Sequence, residues 1–342
     1  MRARHGEAPL FQVMRIPYSE LHEGLQRVLI ATGFESEGAE LCARLFADAS
    51  RDGVQSHGLN RFPRFIETVK NGVVDMQARP ELISSSGALE QWDGRRGAGN
   101  LNAHACMGRA IALARAQGVG CVALRNTNHW MRGGSYGWQA ADAGVIGVCW
   151  TNTMPNLPPW GASEPVLGNN PLVIAVPRSS GHVVLDMAMS QFSYGALEAY
   201  RKRGEQLPVI GGFDMAGELT REPGAIEASH RALPIGFWKG SGLALMLDLV
   251  AALLAGGASS HEIAADVLKE TNLSQMFVAF AVPDSDFSDA LADRIVGSVL
   301  TAAPAGKDRV RYPGERTLEV RAENMEQGIP VDPGVWEQLL AM

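Results

Sequence analysis

The sequence predicts an α/β protein with an all-helical unit at its N-terminus. Two observations predict this class. Between Ser19 and Val69 the apolar residues recur only at helical spacing. Past Gly87 helical segments alternate with short apolar runs of strand length, bounded by glycine and polar clusters.

In chain order, Leu21, Leu25, Val28 and Leu29 make one face of a helix from Ser19 to Ala31, with Ser19 placed to cap it. Ala39, Leu41, Cys42, Leu45 and Phe46 do the same for Glu37 to Ser50, and a third piece spans Arg61 to Val69 before Asn71-Gly72 ends the run. Ser56-His57-Gly58 sits on the joint between the second and third pieces. A long helix over Leu101 to Gln117 stops at Gly118. A strand from Val119 to Leu124 follows, then a polar loop from Arg125 to Gly134 and a helix from Ser135 to Ala143. Val145 to Thr151, Pro171 to Val176 and Val183 to Met187 read as strands. Beyond Tyr194 come a helix, a Gly-rich polar loop from Gly204 to Gly224, and an apolar helix from Leu243 opened by Phe237-Trp238-Lys239-Gly240-Ser241-Gly242. A strand over Met276 to Val282, a helix over Ser288 to Thr301 and a last helix from Pro333 complete the chain. Residues 1–13 read as a flexible extension, with Met14 as an alternative start. The natural divisions are 14–75, 76–225 and 226–342, the last completing both earlier units.

Composition narrows the function. Of 342 residues 46% are apolar and 20% charged, enough for a buried core and too apolar for disorder. The net charge of -7 carries no basic stripe, so nucleic acid is not an expected partner. Cys42, Cys106, Cys121 and Cys149 lie far apart with no C-x-x-C pair, which argues for free thiols in a reducing cytoplasm and against a metal site. The apolar run Leu243 to Leu254 is too short to span a membrane and contains Asp248, so it reads as a core helix. The N-terminus lacks the apolar stretch of a secretory signal.

Two glycine motifs mislead. Gly118-Val119-Gly120-Cys121-Val122-Ala123 matches G-x-G-x-x-A, but a dinucleotide fingerprint follows a strand and opens a helix, and here the order is reversed. Gly133-Gly134-Ser135-Tyr136-Gly137 matches G-x-S-x-G, but about eight polar residues separate it from Leu124, where a nucleophile elbow turns straight off its strand. Asp214 and His230 are the residues that a serine triad would need.

His57 is the better candidate. A lone histidine at a helix joint more often packs or caps than reacts. Here, however, it lies in a turn beside Gly58, where backbone can approach a ligand. Arg61, one helical turn on, offers a planar fork for a carboxylate. An imidazole suits proton donation to a developing alkoxide, and Ser56 can hydrogen-bond the ring or the keto oxygen. Asn126, Asn128, His129, Arg132 and Ser135 form a second polar group past a strand end, where α/β ligands bind. Lys239-Gly240-Ser241-Gly242 at a helix start could hold an anion.

These stretches, with Asn128 to Trp138, Leu185-Asp186-Met187 and Ser190, Gln91-Trp92-Asp93, Pro158-Pro159-Trp160-Gly161 and Gln206-Leu207-Pro208, resemble the family of malate/L-lactate dehydrogenases that lack a Rossmann fold. The likeness runs from about Met14 to the end. It implies a homodimeric oxidoreductase using NAD (NADH, with NADPH as the alternative) and a mixed-sheet α/β cofactor-binding domain over 76–225. Carried over by position, it implies His57 as proton donor and Arg61 as ligand of the substrate carboxylate; for such a reaction Asp186 is the candidate to orient the histidine or a substrate hydroxyl, and His129 to contact the sugar-acid chain. It implies cofactor contacts from His182, Val183, Val184, Leu185, Asp186, Met187 and Ala188, from Trp238 and Lys239, and from Gly314, Glu315 and Arg316. The expected reaction is reduction of a 2-keto sugar acid. Simple keto acids and cyclic imine acids are the alternatives within the family, and a non-catalytic binding protein on the same fold is the alternative outside it.

Overall fold

A computed structural model describes residues 14–342 apart from Asp284 and Lys307. The extension expected over residues 1–13 lies outside the described residues. Strand β1 (Arg15–Ile16) leads into helices α1 (Tyr18–Thr32), α2 (Ser36–Arg51) and α3 (Phe62–Lys70), with two tight helical turns, Gln55–His57 and Leu59–Arg61, between the last two. A hairpin, β2 (Glu81–Ser86) and β3 (Leu89–Asp93), precedes α4 (Gly99–Gln117), β4 (Val119–Asn128), α5 (Gly134–Asp142), β5 (Val145–Thr151), β6 (Leu172–Val176) and β7 (Val183–Met187). Then come α6 (Tyr194–Lys202), β8 (Gly212–Phe213), β9 (Leu219–Thr220), α7 (Pro223–Ser229) and α8 (Trp238–Ala255). Strand β10 (Thr271–Ala281), α9 (Ser285–Leu300), α10 (Glu315–Gln327), β11 (Ile329–Pro330) and α11 (Pro333–Ala341) end the chain.

Seven strands form one sheet in the order β2-β3-β4-β10-β5-β6-β7. Only β3 and β4 pair in parallel; every other pair in the sheet is antiparallel, so the sheet is mixed, as expected. The late strand β10 occupies the middle, between β4 and β5. Helices α4 and α5 bury Met107, Ala110, Tyr136 and Ala140 on one face against Val122, Cys149, Val173 and Phe277. Gly120 permits the close approach of α4 to β4, since a Cβ there would lie 2.1 Å from the Ala110 carbonyl oxygen. Its glycine serves packing, and Gly118, in the left-handed region at φ 86°, closes α4 before β4 begins. The reversed order that argues against a dinucleotide fingerprint is therefore the observed one.

The N-terminal helices have their own core. Leu21, Leu25 and Leu29 of α1 pack with Phe46, Phe62 and Phe65, and the end of the chain joins them through Ile329, Trp336 and Leu339. Burying each such side chain contributes about 1.5–3 kcal/mol. Pairing of Ile16 with Ile329 stitches the two chain ends together.

Several expectations need correction. Strand β4 continues to Asn128, so Arg125–Asn128 is strand and not loop. Its polar side chains are paired rather than solvated: the Asn126 amide donates to Asp93 at 2.9 Å and the Asn128 amide to the Arg96 and Gly97 carbonyls. The β2–β3 hairpin, α10 and the small β8–β9 pair within the polar 204–224 stretch were not anticipated. Helix α8 starts five residues before Leu243 and is not a fully buried core helix. Ala244, Leu247, Asp248, Ala251 and Ala255 face inward, but Leu245, Met246, Leu249 and Leu253 are exposed, Leu253 by 75%. Among the described residues α8 alone is long and apolar enough to cross a membrane. Its Asp248 is buried and accepts hydrogen bonds from the Ser260 N–H and the Asn152 amide, which ties the helix to the sheet side of the protein.

Candidate active site

The tight turns after α2 carry Ser56, His57 and Arg61. Gly58 is what lets the chain turn there, because a Cβ on it would fall 2.1 Å from the Ser50 hydroxyl. That hydroxyl accepts the Leu59 N–H at 2.8 Å and so fixes the turn to the end of α2. His57 Nδ1 lies 3.0 Å from the Ser56 hydroxyl, and Ser56 in turn packs against Gly195 of α6. No other protein hydrogen bond engages the His57 ring among the described residues.

The ring faces His129, which follows directly on β4; the two imidazoles stack with centroids 5.8 Å apart. His129 Nδ1 accepts the Met131 N–H at 3.0 Å, which leaves its proton on Nε2. The helical unit and the carboxyl end of β4 thus meet at this histidine pair. Burial, then the charges of Arg61, Arg132 and Arg64, push the His57 pKa down to about 4. Burial, Arg61, His57 and Arg64 likewise hold His129 well below the usual imidazole range. Both rings are neutral near pH 7 in the free chain.

A narrow cleft beside the pair is lined by Arg61, Arg64, Phe65, Asn128, His129, Met131 and Glu270 among others. The Arg61 guanidinium makes no hydrogen bond or ion pair with any described residue. Its burial, chiefly, pushes its pKa down to about 10, so a desolvated cation awaits an anion there.

Asp186 lies on β7 and accepts the Gly134 N–H at 2.8 Å, at the start of α5. No hydrogen bond joins it to His57. Desolvation of the carboxyl raises its pKa, opposed by the Arg132 charge and the Gly134 bond, although the residue as a whole is exposed. Gly134 leaves room for the Asp186 carboxylate, since a Cβ would come within 2.8 Å of it. The glycines at Gly133, Gly134 and Gly137 therefore seat α5 against β6 and β7 and do not make a nucleophile elbow. Ser135 lies within α5, Asp214 caps its own hairpin turn, and His230 closes α7; no hydrogen bond links either of the last two to Ser135.

The structure brings two of the expected cofactor segments together. The Val184 N–H donates to the Pro313 carbonyl at 2.9 Å, which lays Gly314 against β7; a Cβ on Gly314 would approach the Val184 nitrogen to 3.1 Å. One buried Glu315 oxygen has no partner, while the other side of that carboxylate takes a bond from Arg309. Arg316 pairs with Glu319 on the surface. His182 is engaged by the Arg178 N–H and by Asp142, so its ring is held by the protein itself. Trp238 and Lys239 lie at the other end of β7: the Ile235 N–H donates to the Met189 carbonyl, and α8 begins three residues later. Phe237 sits at φ 61°, a strained conformation of the kind found at ligand sites, and Trp238 is 66% exposed beside it. Ser241 of the expected anion motif instead accepts the Trp160 N–H.

Sequence reasoning gave Arg132 no distinct role, and it passed over Asp52 altogether. Arg132 is 6% exposed, and its Nη1 contacts Asp52 at 2.5 Å. Asp52 also accepts from Arg321 of α10 and from Arg51, so one carboxylate at the end of α2 binds three elements. Arg321 stacks over Trp138, 4.4 Å from the ring centroid. Only an acidic residue at a helix end signals this in the sequence, and that pattern is common.

The sequence profile of malate/L-lactate dehydrogenases matches residues 16–340. The chain belongs to this family. It is 50% identical over 333 residues to the 2,3-diketo-L-gulonate reductase of Escherichia coli strain SE11, covering 96% of this chain and all of that one. It superposes on sulfolactate dehydrogenase from Methanocaldococcus jannaschii with a TM-score of 0.88 at 27% identity, over 95% of both chains. It likewise matches delta1-piperideine-2-carboxylate reductase from Pseudomonas syringae, with a TM-score of 0.84 at 29% identity over 96% of this chain and 99% of that one. The protein is an oxidoreductase of this family, and the expected fold class is the one observed.

Proposed function

We propose that this chain is an NADH-dependent reductase of a 2-keto sugar acid, converting 2,3-diketo-L-gulonate to 3-dehydro-L-gulonate. The observation that carries this reading is the half-buried Arg61 guanidinium, without a hydrogen bond or ion pair among the described residues, whose charge bears on the His57 ring. The relatives' named substrates include 2,3-diketo-L-gulonate and a piperideine-2-carboxylate, both acids, which suits an arginine anchor. The residues toward which the cofactor would lie also fit it. The Lys239 ammonium at the α8 start suits a pyrophosphate, the exposed Trp238 suits a ring, and the orphaned Glu315 oxygen suits a ribose hydroxyl.

A nicotinamide cofactor, when bound, supplies the hydride that adds to C2. The chain's residues do the rest. Arg61 holds the carboxylate, which fixes C2 at the histidine pair. Protonated His57 gives its proton to the carbonyl oxygen as the carbon–oxygen π pair moves onto it. Ser56 orients the ring, the His129 Nε2–H donates to the substrate, and Asp186 accepts from a substrate hydroxyl. Because the carboxylate offsets the Arg61 charge, substrate binding raises the His57 pKa from its low value in the free chain.

Arg61→Gln tests the anchor. We expect it to raise KM for a keto acid by roughly 10- to 100-fold, the loss of a charged hydrogen-bonded pair, with little change for a neutral ketone. Equal effects on both would remove Arg61 from this role. Arg61→Gln should also raise the His57 pKa, because one of the charges that depress it is gone.

We propose further that the protein is a cytoplasmic homodimer. The free, largely buried thiols fit a reducing compartment. The exposed stripe of Leu245, Met246, Leu249 and Leu253 on α8 has the helical spacing of an interface, and a second copy is the occupant we assign to it. Sedimentation should give a dimer that Leu249→Glu with Leu253→Glu converts to a folded monomer. A wild-type monomer at micromolar concentration would contradict this.

A further inference from the structure

We propose that Glu270 is a specificity-determining residue: its buried carboxylate, lining the cleft with Arg61, takes the hydroxylated tail of a monocarboxylate substrate and disfavours substrates with a second carboxylate. This rests on the keto-acid reading above and deepens it.

Glu270 immediately precedes β10, whose first residue, Thr271, pairs with Asn128 at the end of β4. It therefore stands at the same end of the sheet as His129. The segment before it is braced by the helical unit, because the Asn71 amide donates to the Leu268 carbonyl at 3.0 Å. Glu270 is 7% exposed, an unusual burial for a carboxylate. Among the described residues its one hydrogen bond is from the Met154 N–H, a long 3.3 Å, where an ionised carboxylate has about four acceptor sites to fill. Arg61 and Arg64 act on it through space, but neither forms an ion pair with it. A buried carboxylate with spare acceptor capacity, on the wall of the cleft that holds the anchor, suits substrate hydroxyl donors.

Charge gives the second half of the inference. Two guanidiniums and one carboxylate leave the cleft wall with a single net positive charge, which one substrate carboxylate neutralises. The inner lining includes the buried Phe65, Val74 and Met131, which weaken solvent screening of an excess charge on the Glu270 side, while Arg64 and Val267 face solvent. A dicarboxylate would bring its second charge toward Glu270 in that apolar setting. A purely structural role for Glu270, offsetting Arg61, would instead affect all keto acids alike.

The test compares kcat/KM of wild type, Glu270→Gln and Glu270→Ala on 2,3-diketo-L-gulonate, on pyruvate, which lacks a tail, and on oxaloacetate, which has a second carboxylate. The NADH-induced rise in melting temperature checks that each variant is folded. We expect Glu270→Gln to lose about 10- to 100-fold on the sugar acid, to change less than about threefold on pyruvate, and to gain at least about tenfold on oxaloacetate relative to pyruvate. Equal changes on all three substrates would overturn the inference and leave the proposed function standing. A wild type that reduces none of them, or prefers oxaloacetate, would overturn both.

Discussion

His57→Gln is expected to lower kcat for keto-acid reduction by roughly 10²–10⁴-fold, the usual contribution of a positioned general acid, while NADH binding stays near normal. The side chain is replaced by one of similar reach that cannot deliver a proton. The fold should tolerate it, since among the described residues the ring hydrogen-bonds to Ser56 alone. The pH dependence should carry the same signature. In the free chain the His57 pKa lies at about 4, so reductive kcat/KM, which reports free enzyme, should fall as pH rises above that value. Oxidation of the hydroxy acid needs the neutral ring and should run in the opposite sense. The limb in kcat should lie at higher pH than the limb in kcat/KM, because the bound carboxylate offsets Arg61. Stability follows from the same shift. A ring whose pKa falls from 6.5 to about 4 on folding binds fewer protons folded than unfolded. Stability therefore rises from pH 4 to 6.5 and is lost on acidification, by on the order of 3 kcal/mol. The acid limb should shrink in His57→Gln, and calorimetry across that window would reveal it.

Asp52→Ala is expected to destabilise the protein by about 3–5 kcal/mol, because it leaves the buried Arg132, and the half-buried Arg51 and Arg321, without their shared carboxylate. The side chain of Asp52 is 1% exposed and meets Arg51, Arg132 and Arg321 at once. Burial alone would raise its carboxyl. The Arg321 hydrogen bonds and the Arg132 and Arg51 contacts overcome this and hold it well below the usual carboxylate range. This contribution is present above the unfolded pKa near 3.9 and lost as pH falls below it. Chemical unfolding would measure the loss, and a change below about 1 kcal/mol would reduce the cluster to a surface ion pair. Arg132 is the link from stability to chemistry: its charge bears on both His57 and Asp186. Asp52→Ala should therefore also slow turnover, whereas Asp52→Asn, which keeps acceptor and shape, should retain more of both.

Much of this was legible in the sequence. Helix periodicity located α1, α2 and α3 to within one or two residues, because an apolar stripe at a spacing of 3.6 is a strong signal. The reversed strand–helix order at Gly118–Ala123 correctly set aside a Rossmann site. What the sequence hid was long-range pairing. Arg125–Asn128 looked like loop because its polar side chains find partners on the β3 side, which no local pattern reveals. The position of β10 in mid-sheet, and with it Glu270 beside His129, depends on a strand that lies more than a hundred residues after β4. The outward half of α8 looked like core because an exposed apolar stripe and a core stripe read alike in the sequence.

The most direct test of the central claim is NADH oxidation followed in the presence of 2,3-diketo-L-gulonate, for wild type and His57→Gln side by side. The account predicts rapid turnover that forms 3-dehydro-L-gulonate and collapses in the variant at unchanged NADH affinity. Equal turnover by both proteins would contradict it.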